Sequence, residues 1–376
     1  MINYVSNLPQ DLRSGGFSGL NAVAFSTLSK RGVVNYVGPI NPPAYLGQKV
    51  LSKVLRMAGS QGDFFFFSQR RLEAIARAVS AKCLAEAMLD CFHGFTPWIL
   101  TKPRRPYVAW SDCTFRDYID VYHRRELFRH KDLERIEQAE AEWLRRARRV
   151  LFTSDWAAKR AVSHYCLDPS RVGVIGICGE MKMPARDVYA GGRQFAFVAT
   201  NFEAKGGRIV LAAIREVRKR HDDASLVVIG DKPSDAAAEP GVEFTGFLRK
   251  EVPEQHERFQ QILGRARAVV HPTKSDIAPL LIIEAGYSGC PVISSRRFAI
   301  PELVDDGRTG LLLDDPSQVM AVADAMNWVL EHEDEYQRMR QAAWAKAREQ
   351  HSRRRFEERL LSCVGEVIPG ERTPGI

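Results

Sequence analysis

The sequence predicts an α/β protein made of two doubly wound domains, each a parallel sheet covered by helices on both faces. Three observations predict it. The 376 residues exceed what one ordinary core holds. Short apolar runs rich in β-branched and aromatic residues alternate with amphipathic stretches, the rhythm of repeated βα units. A polar segment with Pro and paired Gly, EMKMPARDVYAGGRQ (180–194), interrupts that rhythm near the middle and reads as a linker.

In chain order, INYVSN and VVNYVG read as the first two strands. LDCFHGF, RPYVAWSD and RVLFTSD each end an apolar run on polar residues, and RVGVIGICG (171–179) closes the first half. The run DFFFFSQRR places Phe64 to Phe67 in a buried strand, with a membrane-facing aromatic wedge beside Arg70 and Arg71 as the sharper reading. The mixed-sign stretch 123–149 reads as a helix with a solvated, ion-paired face. Ser154 and Asp155 cap the helix that begins at Trp156. In the second half, FAFVAT (195–200), SLVVIGD (225–231), VEFTGF (242–247), AVVHPT (268–273) and PVISS (291–295) are strands. Helices are expected over 206–221, 254–266, from Pro279, and over 317–332. AWAKAREQHSRRRFEERLLSCV (343–364) is one helix long enough to cross back onto the first half. The predicted boundaries are 1–179, 180–350 and a returning helix and tail at 351–376.

The formal net charge is +8, with an isoelectric point near 9.1, which suits an anionic partner. The basic residues are interleaved with acids and no nucleic-acid reading module is present, so nucleic acid is not the expected partner. No apolar stretch is long enough to span a bilayer, and the N-terminus has no basic region followed by an apolar run. The seven cysteines are scattered and form no CxxC pair, which points to reduced thiols and a cytoplasmic location, with peripheral contact to an acidic membrane left open.

In doubly wound sheets ligands bind beyond the carboxyl ends of the strands, so the residues that follow each strand are the candidates. KSDIAPLLIIEAG (274–286) sets Asp276 ahead of a helix opening at Pro279 and Glu284 inside it. The amides of Leu280 and Leu281 are among the unpaired donors of that helix start and suit a diphosphate. Glu284 would then accept from ribose hydroxyls, and Asp276 would face a sugar ring. The spacing alone equally fits a helix cap and a surface ion pair. Lys205, in TNFEAKGGR, can neutralise a departing diphosphate. Gly230, Gly246 and Phe247 end two further strands and serve either as turn and core or as the border of a base. Gly15 and Gly16 let backbone approach a phosphate or simply turn the chain. Asp112 emerges at a strand end in YVAWSDCTF, where it caps a turn or takes a proton, and His93 is either a local structural group or a second group at the same cleft.

HPTKSDIAPLLIIEAGYSGCPVISSRRFAIPELVDDGRTGLLL (271–313) resembles the donor-binding segment of family 4 glycosyltransferases of the GT-B fold. The resemblance rests on Glu284-Ala285, Gly289-Cys290-Pro291-Val292, Pro301-Glu302 and Asp306-Gly307 followed by Gly310. It departs at Asp276, where the family carries the first of two glutamates, at Ile277-Ala278-Pro279 in place of a glycine-rich loop, and at Thr200, where an Arg is usual five residues before the Lys. Arg208 or another cation is then needed to compensate. The resemblance implies two Rossmann-like domains facing each other across a cleft, the N-terminal one acceptor-side and the C-terminal one binding the nucleotide sugar. It implies a retaining, metal-independent transfer of a hexose from a nucleoside-diphosphate sugar to a hydroxyl acceptor on a glycan, a lipid-linked or a small molecule, with no cofactor. Asp112, Lys205, Asp276 and Glu284 are the implied catalytic residues, and Gly15, Gly16, Gly230, Gly246, Phe247, Leu280 and Leu281 join Glu284 in binding the donor. A UDP-sugar 2-epimerase and a catalytically silent binding protein share the fold and remain the alternatives.

Overall fold

Val and Ile with aromatic neighbours fill the central strands on both faces, as parallel sheets require, while the edge strands are only partly buried. The structure, a computed structural model, describes residues 1–12, 16–185, 189, 191–233 and 239–367. The chain divides into two units: Met1–Leu12, Asn21–Gly176 and Phe356–Ile376 form one, and Arg13–Leu20 with Ile177–Arg355 the other.

The first unit carries β1 (Ile2–Val5), α1 (Gly16–Ser29) from Asn21 onward, β2 (Val34–Val37), α2 (Leu46–Met57), α3 (Gln69–Lys82), β3 (Leu89–His93), β4 (Tyr107–Ser111), α4 (Phe115–Tyr122), α5 (His130–Arg146), β5 (Arg149–Phe152), α6 (Asp155–Tyr165) and β6 (Val172–Val174). The six strands are parallel, in the order β2-β1-β3-β4-β5-β6. Phe92 and Phe152 from the sheet, Leu72 and Ile75 from α3, and Leu133, Ile136 and Trp143 from α5 share one core. The expected ion-paired face of α5 is present in Arg135–Asp132 at 2.8 Å and in Glu137, which pairs with Arg125 at 2.7 Å. Ser154 caps α6 by accepting from the Ala157 amide at 3.2 Å.

The second unit carries β7 (Gln194–Ala199), α7 (Gly207–Arg218), β8 (Ser225–Gly230), β9 (Val242–Gly246), α8 (Pro253–Arg265), β10 (Ala268–His271), α9 (Leu280–Tyr287), β11 (Val292–Ser295), α10 (Ile300–Leu303), β12 (Gly310–Leu313), α11 (Val319–Glu331) and α12 (Glu333–Gln350). Its parallel order is β12-β11-β10-β7-β8-β9. Phe195 and Phe197 of β7 lie against Val210 and Ile214 of α7 and Met326 of α11 in a core of their own.

Two expected elements differ. Phe65–Phe67 is a single 3-10 turn, not a strand: Phe64 and Phe65 point into the core, while Phe66 stands half exposed. A strand needs a ladder partner, whereas this turn is tied locally by the Arg71 guanidinium, which donates to the Phe66 carbonyl at 2.6 Å. The long helix expected over 343–364 breaks at 351–352. His351 is buried and non-helical, its carbonyl accepting from the Tyr287 hydroxyl at 2.6 Å, and α13 (Arg353–Gly365) starts afresh in the first unit.

Candidate functional site

The strand order of the second unit reverses between β7 and β10, because the chain leaves β7 toward β8 on one side and returns through β10 on the other. Loops at such a switch point splay apart and leave a crevice for a ligand. The loops after these two strands supply Lys205 and Asp276. The Lys205 ammonium lies 2.5 Å from Asp276 Oδ1 and donates to the Ser275 carbonyl at 3.2 Å. His271, the last residue of β10 and buried, places Nε2 2.8 Å from Asp276 Oδ2. Burial pushes the Asp276 carboxyl up, but the bonds from His271 and Lys205 outweigh it and hold the group below the ordinary carboxylate range. Gly206 makes the turn that presents Lys205: its φ is +83°, and a Cβ there would meet the Pro272 carbonyl oxygen at 2.9 Å.

Pro279 caps α9 and Leu280 and Leu281 open it, so their amides stand at the positive end of the helix. Glu284 is the fifth residue of α9 and only 2% exposed. Its Oε1 is ion-paired with Lys250, from the loop between β9 and α8, and accepts from the Glu180 amide at 3.2 Å. Gly179 closes on the same side chain: its amide donates to the Tyr287 hydroxyl at 3.0 Å, and a Cβ would come within 2.9 Å of Glu284 Cγ. Lys250, Gly179 and His271 are thus site residues that sequence reading missed. The one signal was a lysine in the loop after the Gly246 strand.

Around them, Gly230 has φ +112° and Gly246 φ +72°, both turns that end strands, and Phe247 is exposed, not part of the core. Asp231 ties two loops together by accepting from the Phe202 amide at 3.3 Å. Thr200 is exposed, and Arg208, the proposed substitute for the missing Arg, reaches Glu203 on the surface at 2.8 Å. The Asp306-Gly307 run is scaffolding: Asp306 accepts from the Leu312 amide at 2.9 Å and pairs with Arg296, setting the turn into β12.

In the first unit Asp112 follows β4 directly and is half-buried. Burial raises its carboxyl above the usual range, while bonds from Cys113 and Ser111 pull the other way. The same unit holds a buried acid that sequence reading placed on a solvated face. Glu140 of α5 accepts from the Thr96 hydroxyl at 2.6 Å, the Phe115 amide at 2.6 Å and the Tyr165 hydroxyl at 2.8 Å, and burial pushes it to about 7. His93 lies at the end of β3, bonded to Ser6 Oγ at 3.1 Å, and burial lowers it to about 3, which favours the neutral imidazole. Gly16 begins α1, and Gly15 lies outside the described residues. Among the described residues no three His, Cys, Asp or Glu side chains converge on a point that would hold a metal, and no helix is long and apolar enough to cross a membrane.

A cation, a helix start and two carboxylates thus lie together at the switch point. Residues 192–332 match the family model described as Glycosyl transferases group 1. This stretch resembles the group 1 glycosyl transferases. The chain is also similar to curated proteins over part of its length. A D-inositol 3-phosphate glycosyltransferase of Corynebacterium diphtheriae is 32% identical over 157 residues, which are 39% of this chain and 36% of that protein. The protein of that name from Corynebacterium glutamicum is 28% identical over 56% of each chain. A GDP-mannose-dependent alpha-(1-6)-phosphatidylinositol monomannoside mannosyltransferase of Mycolicibacterium smegmatis is 28% identical over 29% of this chain and 31% of its own. The chain therefore spans between about a third and just over half of the length of these curated relatives. Solved structures share the fold across nearly the whole chain. HepE of Anabaena in complex with UDP-glucose has a TM-score of 0.67 at 15% identity, covering 97% of this chain and 100% of its own. WaaG, a glycosyltransferase involved in lipopolysaccharide biosynthesis, has a TM-score of 0.67 at 14% identity, covering 99% and 100%. The group 1 segment thus sits within a chain of GT-B fold, with two six-stranded parallel α/β units.

Proposed function

We propose that the chain is a retaining glycosyltransferase that moves a hexose from a nucleoside-diphosphate sugar to a hydroxyl acceptor without a metal ion. The observation that carries this reading is the Lys205–Asp276 pair at the β7/β10 switch point, with Glu284 eight residues further on in α9. The donor diphosphate takes the amides of Leu280 and Leu281 together with the Lys205 ammonium, which leaves Asp276 to accept from the sugar hydroxyls. The pentose hydroxyls go to Glu284, and the Lys250 ammonium beside it supplies the second positive charge that Thr200 withholds. Two cations and a helix start provide the leaving-group stabilisation that a metal would otherwise give. Phe247 and the Gly230 and Gly246 turns border the base.

From the first unit, Asp112 is assigned to the acceptor hydroxyl. A carboxyl raised by burial is better matched to taking a proton near neutrality than an exposed one. The relatives named above act on inositol phosphate and phosphatidylinositol mannoside, and the structure similar to this chain holds UDP-glucose. UDP- and GDP-hexoses with a polyol or lipid-linked acceptor are accordingly the first combinations to try. The test is a thermal-shift screen with UDP, GDP and ADP, followed by incubation of the stabilising nucleotide's sugars with candidate acceptors and reading of the product anomer. A saturating nucleotide at 100-fold its Kd adds about 2.7 kcal/mol to stability, and Glu284→Ala removes that response. No response to any of the three nucleotides would sink the reading.

A further inference from the structure

Both oxygens of the Asp276 carboxylate are held, and by unlike partners. Oδ1 faces the Lys205 ammonium at 2.5 Å, and Oδ2 faces His271 Nε2 at 2.8 Å. The partners differ in stiffness. Lys205 is a flexible side chain on the turn after β7, and part of it reaches solvent. His271 is 3% exposed and ends β10, a strand paired with β7 on one side and β11 on the other. Its carbonyl accepts from the Thr273 amide at 2.8 Å and from the Ser294 hydroxyl at 2.9 Å, so the backbone that carries the ring is fixed by the sheet and by its own turn. The other ring nitrogen, Nδ1, is buried and has no hydrogen-bond partner among the described residues. A proton there would be a buried donor without an acceptor, so the ring proton belongs on Nε2, where Asp276 takes it.

We propose that His271 is a positioning residue that holds Asp276 in place for the sugar of the donor. The inference rests on the transferase reading and deepens it. An ionised carboxylate offers about four lone-pair sites, so a bond on each oxygen still leaves room to accept from sugar hydroxyls. When a diphosphate draws the Lys205 ammonium to itself, Asp276 keeps the His271 bond alone. The imidazole then stops the carboxylate from following the lysine or turning away while the sugar is bound. Aspartate is one methylene shorter than the glutamate that the resemblance calls for, and its carboxylate lies close enough to the strand end to be held from there. Neither the nucleoside nor the diphosphate is assigned to Asp276, so the loss of His271 is felt through the sugar.

The experiment titrates the full chain calorimetrically with UDP, GDP, UDP-glucose and GDP-mannose, and compares each nucleotide with its own sugar. His271→Leu removes the bond at similar volume. Its affinity for the nucleotide should stay as in the parent chain, while affinity for the nucleotide sugar falls about tenfold or more, the loss that goes with a hydrogen bond to a charged group. His271→Gln carries a side-chain N–H to similar reach and should recover most of that loss. His271→Asn, whose amide stops short of Asp276, makes the same comparison as the leucine without placing an apolar group beside the acid. In an Asp276→Asn background His271→Leu should change nothing further, because its effect runs through the carboxylate. Melting curves without ligand check that each variant is folded. Equal falls for nucleotide and nucleotide sugar overturn the proposal, since they mean a general disturbance of the site, and so do additive losses in the double variant. A parent chain that binds none of these probes sinks the transferase reading and this inference with it. A parent that binds them, with His271→Leu and His271→Asn indistinguishable from it, sinks the inference alone.

Discussion

Glu284 is buried, yet it holds two partners that belong to other segments, Lys250 and the Glu180 amide. Taking away Lys250 leaves a carboxylate without a counter-charge in a dry place, so Lys250→Met should cost about 3 kcal/mol or more. Glu284→Gln in the same chain should recover much of that loss, and urea unfolding of the two single variants and the double variant measures the coupling. Additive losses would mean that the pair is no more than a surface contact. Asp112 makes a different prediction. Asp112→Asn keeps the size and most hydrogen bonds of the side chain, so nucleotide affinity should stay unchanged while turnover drops by about 100-fold, as for loss of an acid–base group. Glu140 is protonated more readily in the folded chain, at about 7 against an ordinary 4.5, so the native state binds the extra proton. Stability is then highest below about 4.5 and falls by roughly 3 kcal/mol as pH rises through 7. Glu140→Gln keeps an acceptor for Phe115 and Tyr165 and a donor for Thr96. Urea midpoints for this variant should lose that slope between pH 5 and pH 8.

At the scale of elements, the strands and the opening of α9 were legible because their signals are local: a buried apolar run, a proline at a helix start, a glycine after it. Lys205, Asp276 and Glu284 were legible because each follows a strand or opens a helix. What sequence could not show is which loop comes to rest against which. Nothing near Lys250 or Gly179 in the chain announces Glu284, since those contacts span 34 and 104 or more positions. Glu140 was hidden for the opposite reason: its neighbours in α5 are charged, so the helix reads as solvated until the turn that faces Thr96 is placed. The aromatic run at 64–67 misled because composition cannot separate a strand from a short turn whose rings point in different directions. Gly179 adds an element-scale prediction. A methyl group there would press on Glu284 and Tyr287. Gly179→Ala should therefore weaken nucleotide affinity by about tenfold, measured by calorimetric titration, with little change in the unfolding of the first unit.

At the scale of the whole molecule, each unit has its own buried aromatic and aliphatic core, but the first is not built from one continuous stretch. Phe356, Leu360 and Val364 of α13 are buried, Phe356 stands against the Trp110 ring at 6.4 Å, and Lys30 pairs with Glu357 at 2.7 Å. The break at His351 is what frees α13 to lie there instead of extending α12. A protein being made on a ribosome emerges from its N-terminus at a pace that lets early domains fold first. The first unit lacks its last helix until α13 has been made, and α13 lies beyond the last residues of the second unit.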